Sequence, residues 1–168
     1  MKDVARQKMS IKVDCMDLLN EQIEKESHAA SSYLAMASWC DQHGYSNSAH
    51  FFYHQVNEER EHMMRIFKFI NDCGGNALSP ETGRVNHDYA SLEEVFETAL
   101  DQEIEITKSI HGMVISARKQ GDLNTENFLQ WFVTEQMEEE QTMRDILGLF
   151  DNMSGMAPIL IDDRIKKE

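Results

Sequence analysis

Four long stretches of this chain carry apolar side chains at alternating steps of three and four residues, and each apolar line is interrupted by an acid. That spacing is the seam of a helix packed in a bundle. The first seam reads Leu19, Ile23, Glu26, Ala30, Tyr33, Ala37, Cys40, and the second Phe52, Val56, Glu59, Met63, Ile66, Ile70, Cys73. The third reads Leu92, Phe96, Ala99, Glu103, Ile106, Ile110, Met113, Ala117, and the fourth Leu129, Phe132, Gln136, Glu139, Met143, Ile146, Phe150. No seam contains Lys or Arg.

The breaks between the stretches set the topology. Asp41-Gln42-His43-Gly44, the run from Gly74-Gly75 to about Ala90 with Pro80 and Gly83, Gln120-Gly121-Asp122, and Ser154-Gly155 with Pro158 punctuate the chain. They leave helices at about 14–42, 45–73, 91–119 and 123–151, the third opened by a Ser91/Glu94 capping box. Short connections make helices one and two, and three and four, antiparallel hairpins. A helix of ~29 residues is ~43 Å long. The crossover at 74–90 can extend to ~56 Å, enough to run the bundle's length and set helix three parallel to helix two. The expected fold is all-α: residues 1–168 form one domain, a four-helix bundle with one long crossover. The tail, 152–168, holds Ala157-Pro158-Ile159-Leu160-Ile161, too short for a core helix but apolar enough to dock.

Charge narrows the partners. Among 168 residues, 30 Asp and Glu face 16 Lys and Arg, a net charge of −14. Such a chain lacks the basic patch that nucleic-acid backbones or anionic lipid require, so neither nucleic acid nor membrane is an expected partner. No apolar run is long enough to span a bilayer. Lys2, Arg6, Lys8 and Lys12 precede no apolar stretch, so no secretory signal is expected at the start. Cys15, Cys40 and Cys73 are odd in number and form no C-x-x-C pair, which suits small core residues in a reducing cytoplasm. The 11 methionines read as gap fillers in the core.

The seam acids are the informative feature. The four helix midpoints fall near residues 28, 59, 105 and 137, so Glu26, Glu59, Glu103 and the Gln136/Glu139 pair lie at one height inside the bundle. Buried carboxylates without cations must take up protons, with raised pKa values, or bind metal. Hard oxygen ligands plus one imidazole suit iron or manganese, with zinc able to compete. The imidazole is His62, which shares a helix face with Glu59 in Glu59-Arg60-Glu61-His62. An E-x-x-H alone is weak, and Glu59's seam position gives it weight. Glu58, Glu135 and Glu138 stand one step off the seams, either as a solvated acidic face or as a flanking site that shares Glu139. Tyr33 reads as a core tyrosine or as a hydrogen-bond or electron donor to the site, and Trp131 as core or as a contact between subunits. His28, His43, His50, His54, His87 and His111 have no matching seam acid and suit surface or loop roles.

These residues resemble the ferritin superfamily, and within it the bacterial non-haem ferritins, over about Leu19 to Phe150. The stretches that carry the resemblance are Leu19-Asn20-Glu21-Gln22-Ile23, Asn57-Glu58-Glu59-Arg60-Glu61-His62 and Phe128-Leu129-Gln130-Trp131-Phe132-Val133-Thr134-Glu135-Gln136-Met137-Glu138-Glu139-Glu140. The resemblance implies one iron site from Glu26, Glu59 and His62 with Gln136 nearby, and a second from Glu59 as bridge with Glu103 and Glu139. It implies a third from Glu58, Glu135, Glu138 and Glu139, a Tyr33 beside the di-iron centre, and a short fifth helix near Met156 to Lys166. It further implies a cytoplasmic shell of 24 subunits that oxidises Fe(II) with O2 or H2O2 and stores ferric mineral. Helix four supplies no second E-x-x-H, which counts against haem-binding bacterioferritins, and the lack of a C-x-x-C pair counts against rubrerythrins. The alternatives are a di-iron oxidase or peroxide scavenger that stores nothing, and a metal-free helical interaction module.

Overall fold

A computed structural model of the chain describes residues 8–165. Lys2, Arg6 and the last residues of the tail lie outside the described residues. The elements are α1 (Val13–Gln42), α2 (Ser46–Asp72), α3 (Leu92–Gln120), α4 (Leu123–Asn152) and the five-residue α5 (Pro158–Asp162). Helix α1 packs along α2, α3 along α4, and α1 against α3. This is an all-α four-helix bundle with a short fifth helix at its end.

The crossover can be followed by its contacts with α1. The Asn76 N–H meets Met16 Sδ at 3.4 Å, and the Leu78 N–H donates to Asn20 Oδ1 at 2.8 Å. Further on, Gly83 lies against the His28 ring, and Tyr89 meets Trp39 edge to face at 5.9 Å. The connection therefore descends α1 from its first turns to its last. Helix α3 starts beside the C-terminal end of α1 and runs parallel to α2, as a bundle with one crossover requires.

Local chemistry fixes the helix ends. Ser91 Oγ accepts from the Glu94 N–H at 3.1 Å, and the Glu94 carboxylate turns back to the Ala90 N–H, one residue before the expected partner. Gly121 ends α3 at φ 66°, a left-handed conformation that glycine adopts without strain. Asp122 caps α4 through the Thr125 N–H at 3.1 Å and also accepts from the Lys12 N–H at 2.8 Å, which ties the start of α1 to the α3–α4 turn. Helix α2 has no cap of its own at Tyr45. Asp162 of α5 supplies one, accepting from the Asn47 N–H at 3.1 Å, the Ser48 N–H at 2.8 Å and Ser48 Oγ at 2.5 Å. The tail thus docks through Asp162 as well as through buried Ile161 and Ile165.

Two apolar clusters fill the bundle. One gathers Tyr33, Phe52, Phe96, Met143 and Phe150 near the α5 end. The other gathers Leu19, Ile23, Ile66, Ile110 and Phe132 near the opposite end. Between them lies a buried polar layer. Cys15 and Cys40 are core residues and Cys73 is half-buried; burial pushes the Cys15 thiol up to about 11 and the Cys40 thiol up to about 12. The methionines correct one expectation: Met36, Met113 and Met143 fill the core, whereas Met9, Met64, Met137 and Met156 are exposed. Among the described residues no helix is long and apolar enough to cross a membrane.

Candidate metal centre

The polar layer is built by one or two residues from each helix. Helix α1 brings Glu26, α2 brings Glu59 and His62, α3 brings Glu103, and α4 brings Gln136 and Glu139; all six are at most 5 % exposed. Glu59 and His62 share a face of α2, and Gln136 and Glu139 share a face of α4, because three residues nearly complete a turn.

Three side chains converge most closely. His62 Nδ1 lies 3.8 Å from Glu26 Oε2 and 3.6 Å from Glu59 Oε2. These same three atoms are buried and have no hydrogen-bond partner. Buried polar atoms without partners are costly, so an unpaired trio pointing at one place calls for a missing partner. Two ligand atoms each about 2.1 Å from one ion stand at most about 4.2 Å apart. Both separations at Nδ1 fit inside that limit. A carboxylate pair with a neutral imidazole is a donor set for a divalent cation of intermediate hardness.

Burial shapes the acids. Burial, then the neighbouring Glu103 and Glu26, holds the Glu59 carboxyl well above its usual range. Glu139 is pushed up to about 9 by burial and by Glu103. Glu103 is raised to about 7 by burial, against the opposing pull of its hydrogen bonds to Tyr33 and Gln136. The Tyr33 hydroxyl donates to Glu103 Oε1. Gln136 Nε2 donates to Glu103 Oε2 at 3.0 Å and to the Glu103 carbonyl at 3.3 Å. Gln136 thus serves Glu103 directly, beside the second expected site rather than the first. Like-charge crowding without a cation favours protons, and a bound cation would reverse that preference.

The flanking acids divide. The second close group joins His62, Glu135 and Glu139, with Glu135 Oε1 3.8 Å from His62 Nε2. Glu58 is held by His54 Nδ1 at 3.2 Å and by the Gln55 amide. Its carboxyl is raised by burial and by Glu135, with His54 pulling the other way. Glu138 is exposed and stands outside both close groups. A cleft of about 430 Å³ opens at this edge, lined by Glu58, Glu61, His62, Arg65, Trp131 and Glu135.

Some residues at the centre carried no signal that periodicity alone exposes. Trp131 meets His62 edge-on at 5.5 Å, with the Arg65 guanidinium 4.0 Å above the indole. Gln22 is fully buried and donates to Glu26 Oε1 at 2.7 Å. It sits one turn before Glu26, between Leu19 and Ile23, a position on the seam side that periodicity does not tie to Glu26.

Comparison with known proteins gives the family. Residues 16–153 match the ferritin-like domain. The chain belongs to the ferritin-like family. Its ferritin relatives include a probable bacterial non-heme ferritin-like protein of Haemophilus influenzae, 38% identical over 147 residues, covering 86% of this chain and 89% of that one. A bacterial non-heme ferritin of Staphylococcus aureus is 39% identical over 125 residues, covering 74% and 75%. Among solved ferritins, an open pore ferritin of the archaeon Archaeoglobus fulgidus superposes with a TM-score of 0.89 at 32% identity, covering 92% of this chain and 97% of that one.

Proposed function

We propose that this chain stores iron, and that the buried polar layer is a ferroxidase centre with Fe(II) as its substrate. Glu26, Glu59 and His62 hold one ferrous ion, and Glu59 bridges to a second held by Glu103 and Glu139. Glu58, Glu135, Glu138 and Glu139 form a third, flanking site. Two ferrous ions together supply two electrons, enough to reduce O2 to H2O2 or H2O2 to water. Hard carboxylate oxygens favour the ferric product. Gln136 keeps Glu103 aimed into the layer without adding a charge, and Tyr33 does the same from α1.

The observation that carries this reading is the convergence of buried, unpartnered Glu26 Oε2, Glu59 Oε2 and His62 Nδ1 among further buried acids, with no Lys or Arg buried among the described residues. The proposal extends to assembly into a hollow 24-subunit shell in the cytoplasm, and apolar side chains left exposed support contacts between copies of the chain. Met156, Ile159 and Leu160 around α5, and Leu123 at the start of α4, are such groups. No haem ligand set is proposed.

The test combines solution size with aerobic iron loading. The reading requires a large assembly, Fe(II) oxidation faster than in buffer, and many irons retained per chain. Two irons per chain and no more would favour a scavenger that stores nothing. A monomer or dimer would remove the shell, and an oxidation rate equal to buffer would remove the centre.

A further inference from the structure

Glu26 is held from outside the bundle by a chain of hydrogen bonds in which every donor points inward. Exposed Lys25 Nζ donates to Ser109 Oγ on α3 at 2.7 Å. Ser109 Oγ donates to Gln22 Oε1 at 2.7 Å, and Gln22 Nε2 donates to Glu26 Oε1 at 2.7 Å. The chain crosses from α1 to α3 and back. Its direction is forced: an ammonium can only donate, and a carboxylate oxygen accepts. The Gln22 amide therefore has one orientation that satisfies both neighbours. Glu26 Oε1 is occupied by this strap, while Oε2 is left unpartnered beside His62 and Glu59.

We infer that Gln22 and Ser109 are positioning residues that make Glu26 a one-oxygen ligand. With Oε1 turned to Gln22, Oε2 is the oxygen presented beside His62 and Glu59 to an ion. Outer partners of metal-binding carboxylates and imidazoles fix their orientation, and removing one weakens affinity about tenfold or more. Ser109 acts only through Gln22, so the two substitutions are coupled rather than independent. This inference rests on the ferroxidase reading of the layer but concerns the mode of ligation, which nothing in the composition of the ligand set dictates.

The test uses Co(II) as the probe, bound anaerobically to the full chain. Four proteins are compared: unsubstituted, Gln22→Leu, Ser109→Ala, and the double variant. Affinity is measured by titration, and the visible d–d band of bound Co(II) reports coordination number, its intensity falling as that number rises. Gln22→Leu is expected to weaken binding about tenfold, and to weaken the band as the freed Oε1 joins Oε2 on the ion. Ser109→Ala is expected to do less of both, and the double variant to match Gln22→Leu. Unchanged affinity and spectrum in Gln22→Leu would overturn the inference, as would effects that simply add in the double variant. Should Gln22→Leu fail to fold, Ser109→Ala decides alone: an unchanged titration and band overturn the inference. Failure of the unsubstituted chain to bind Co(II) would instead strike the ferroxidase reading itself.

Discussion

The Tyr33 hydroxyl donates to Oε1 of Glu103, joining α1 to α3 inside the polar layer. Both side chains are completely buried. Burial raises the Glu103 carboxyl to about 7, and the Tyr33 hydrogen bond is the first influence that lowers it. Tyr33→Phe removes a donor from the anionic form. A hydrogen bond to a charged group is worth about 1.5–3 kcal/mol, which corresponds to about one to two pH units. The pH midpoint for metal binding is expected to rise by that amount in Tyr33→Phe, with the melting temperature of the metal-free protein falling. A pH titration of Zn(II) affinity checks it; an unchanged midpoint would separate Tyr33 from Glu103.

The buried acids set the pH dependence of the metal-free protein. In the unfolded chain Glu103 and Glu139 ionise near 4.5; folded, they hold their protons to about 7 and about 9. The folded state therefore binds more protons between these limits. Their contribution to stability is complete below pH 4.5 and is lost as pH rises through the folded values. Thermal unfolding of the metal-free chain should fall across that window. Adding Zn(II) at neutral pH should reverse the trend and release protons, measurable with a pH indicator in weak buffer.

Substitution of Glu59 should separate stability from function. In the metal-free state Glu59 is a buried acid crowded by Glu103 and Glu26. Glu59→Gln keeps its shape and removes the cost of burying an acid that must either take up a proton or carry an unsolvated charge there. The metal-free variant should melt at or above the temperature of the unsubstituted chain, yet lose accelerated Fe(II) oxidation. A lower melting temperature with full oxidation would reverse both halves of the prediction.

Asp162 should matter to α2 although it lies more than a hundred residues away. It accepts from both the Asn47 and Ser48 N–H groups and from Ser48 Oγ. Loss of a cap costs about 1–2 kcal/mol. Asp162→Ala should lower stability by at least that much and speed amide exchange in the first turn of α2. Exchange elsewhere in the bundle should change little.

The bundle, its crossover and the height of the polar layer were legible because helices are periodic. A rise of ~1.5 Å per residue turns position along the chain into position along the axis. Glu26, Glu59, Glu103 and Glu139 could thus be assigned to one level before any contact was known. Which atoms meet was not legible. That Gln136 serves Glu103, that Trp131 lies against His62, and that Gln22 holds Glu26 depend on side-chain rotamers and on the gap between α1 and α3. The acidic run on α4 shows the limit from the other side. Glu135, Glu138 and Glu139 look alike in sequence, yet Glu139 is buried, Glu135 half-buried and Glu138 exposed. Asp162 was out of reach for a different reason: a cap supplied across the fold leaves no local mark.

The crystal structure of the protein soaked anaerobically in ferrous salt tests the ferroxidase centre most directly. An ion is expected between Glu26, Glu59 and His62, a second between Glu59, Glu103 and Glu139, with Glu59 shared by both. Iron found only on exposed acids, with Glu26, Glu59 and His62 left without it, would show that the polar layer is not the ferroxidase centre.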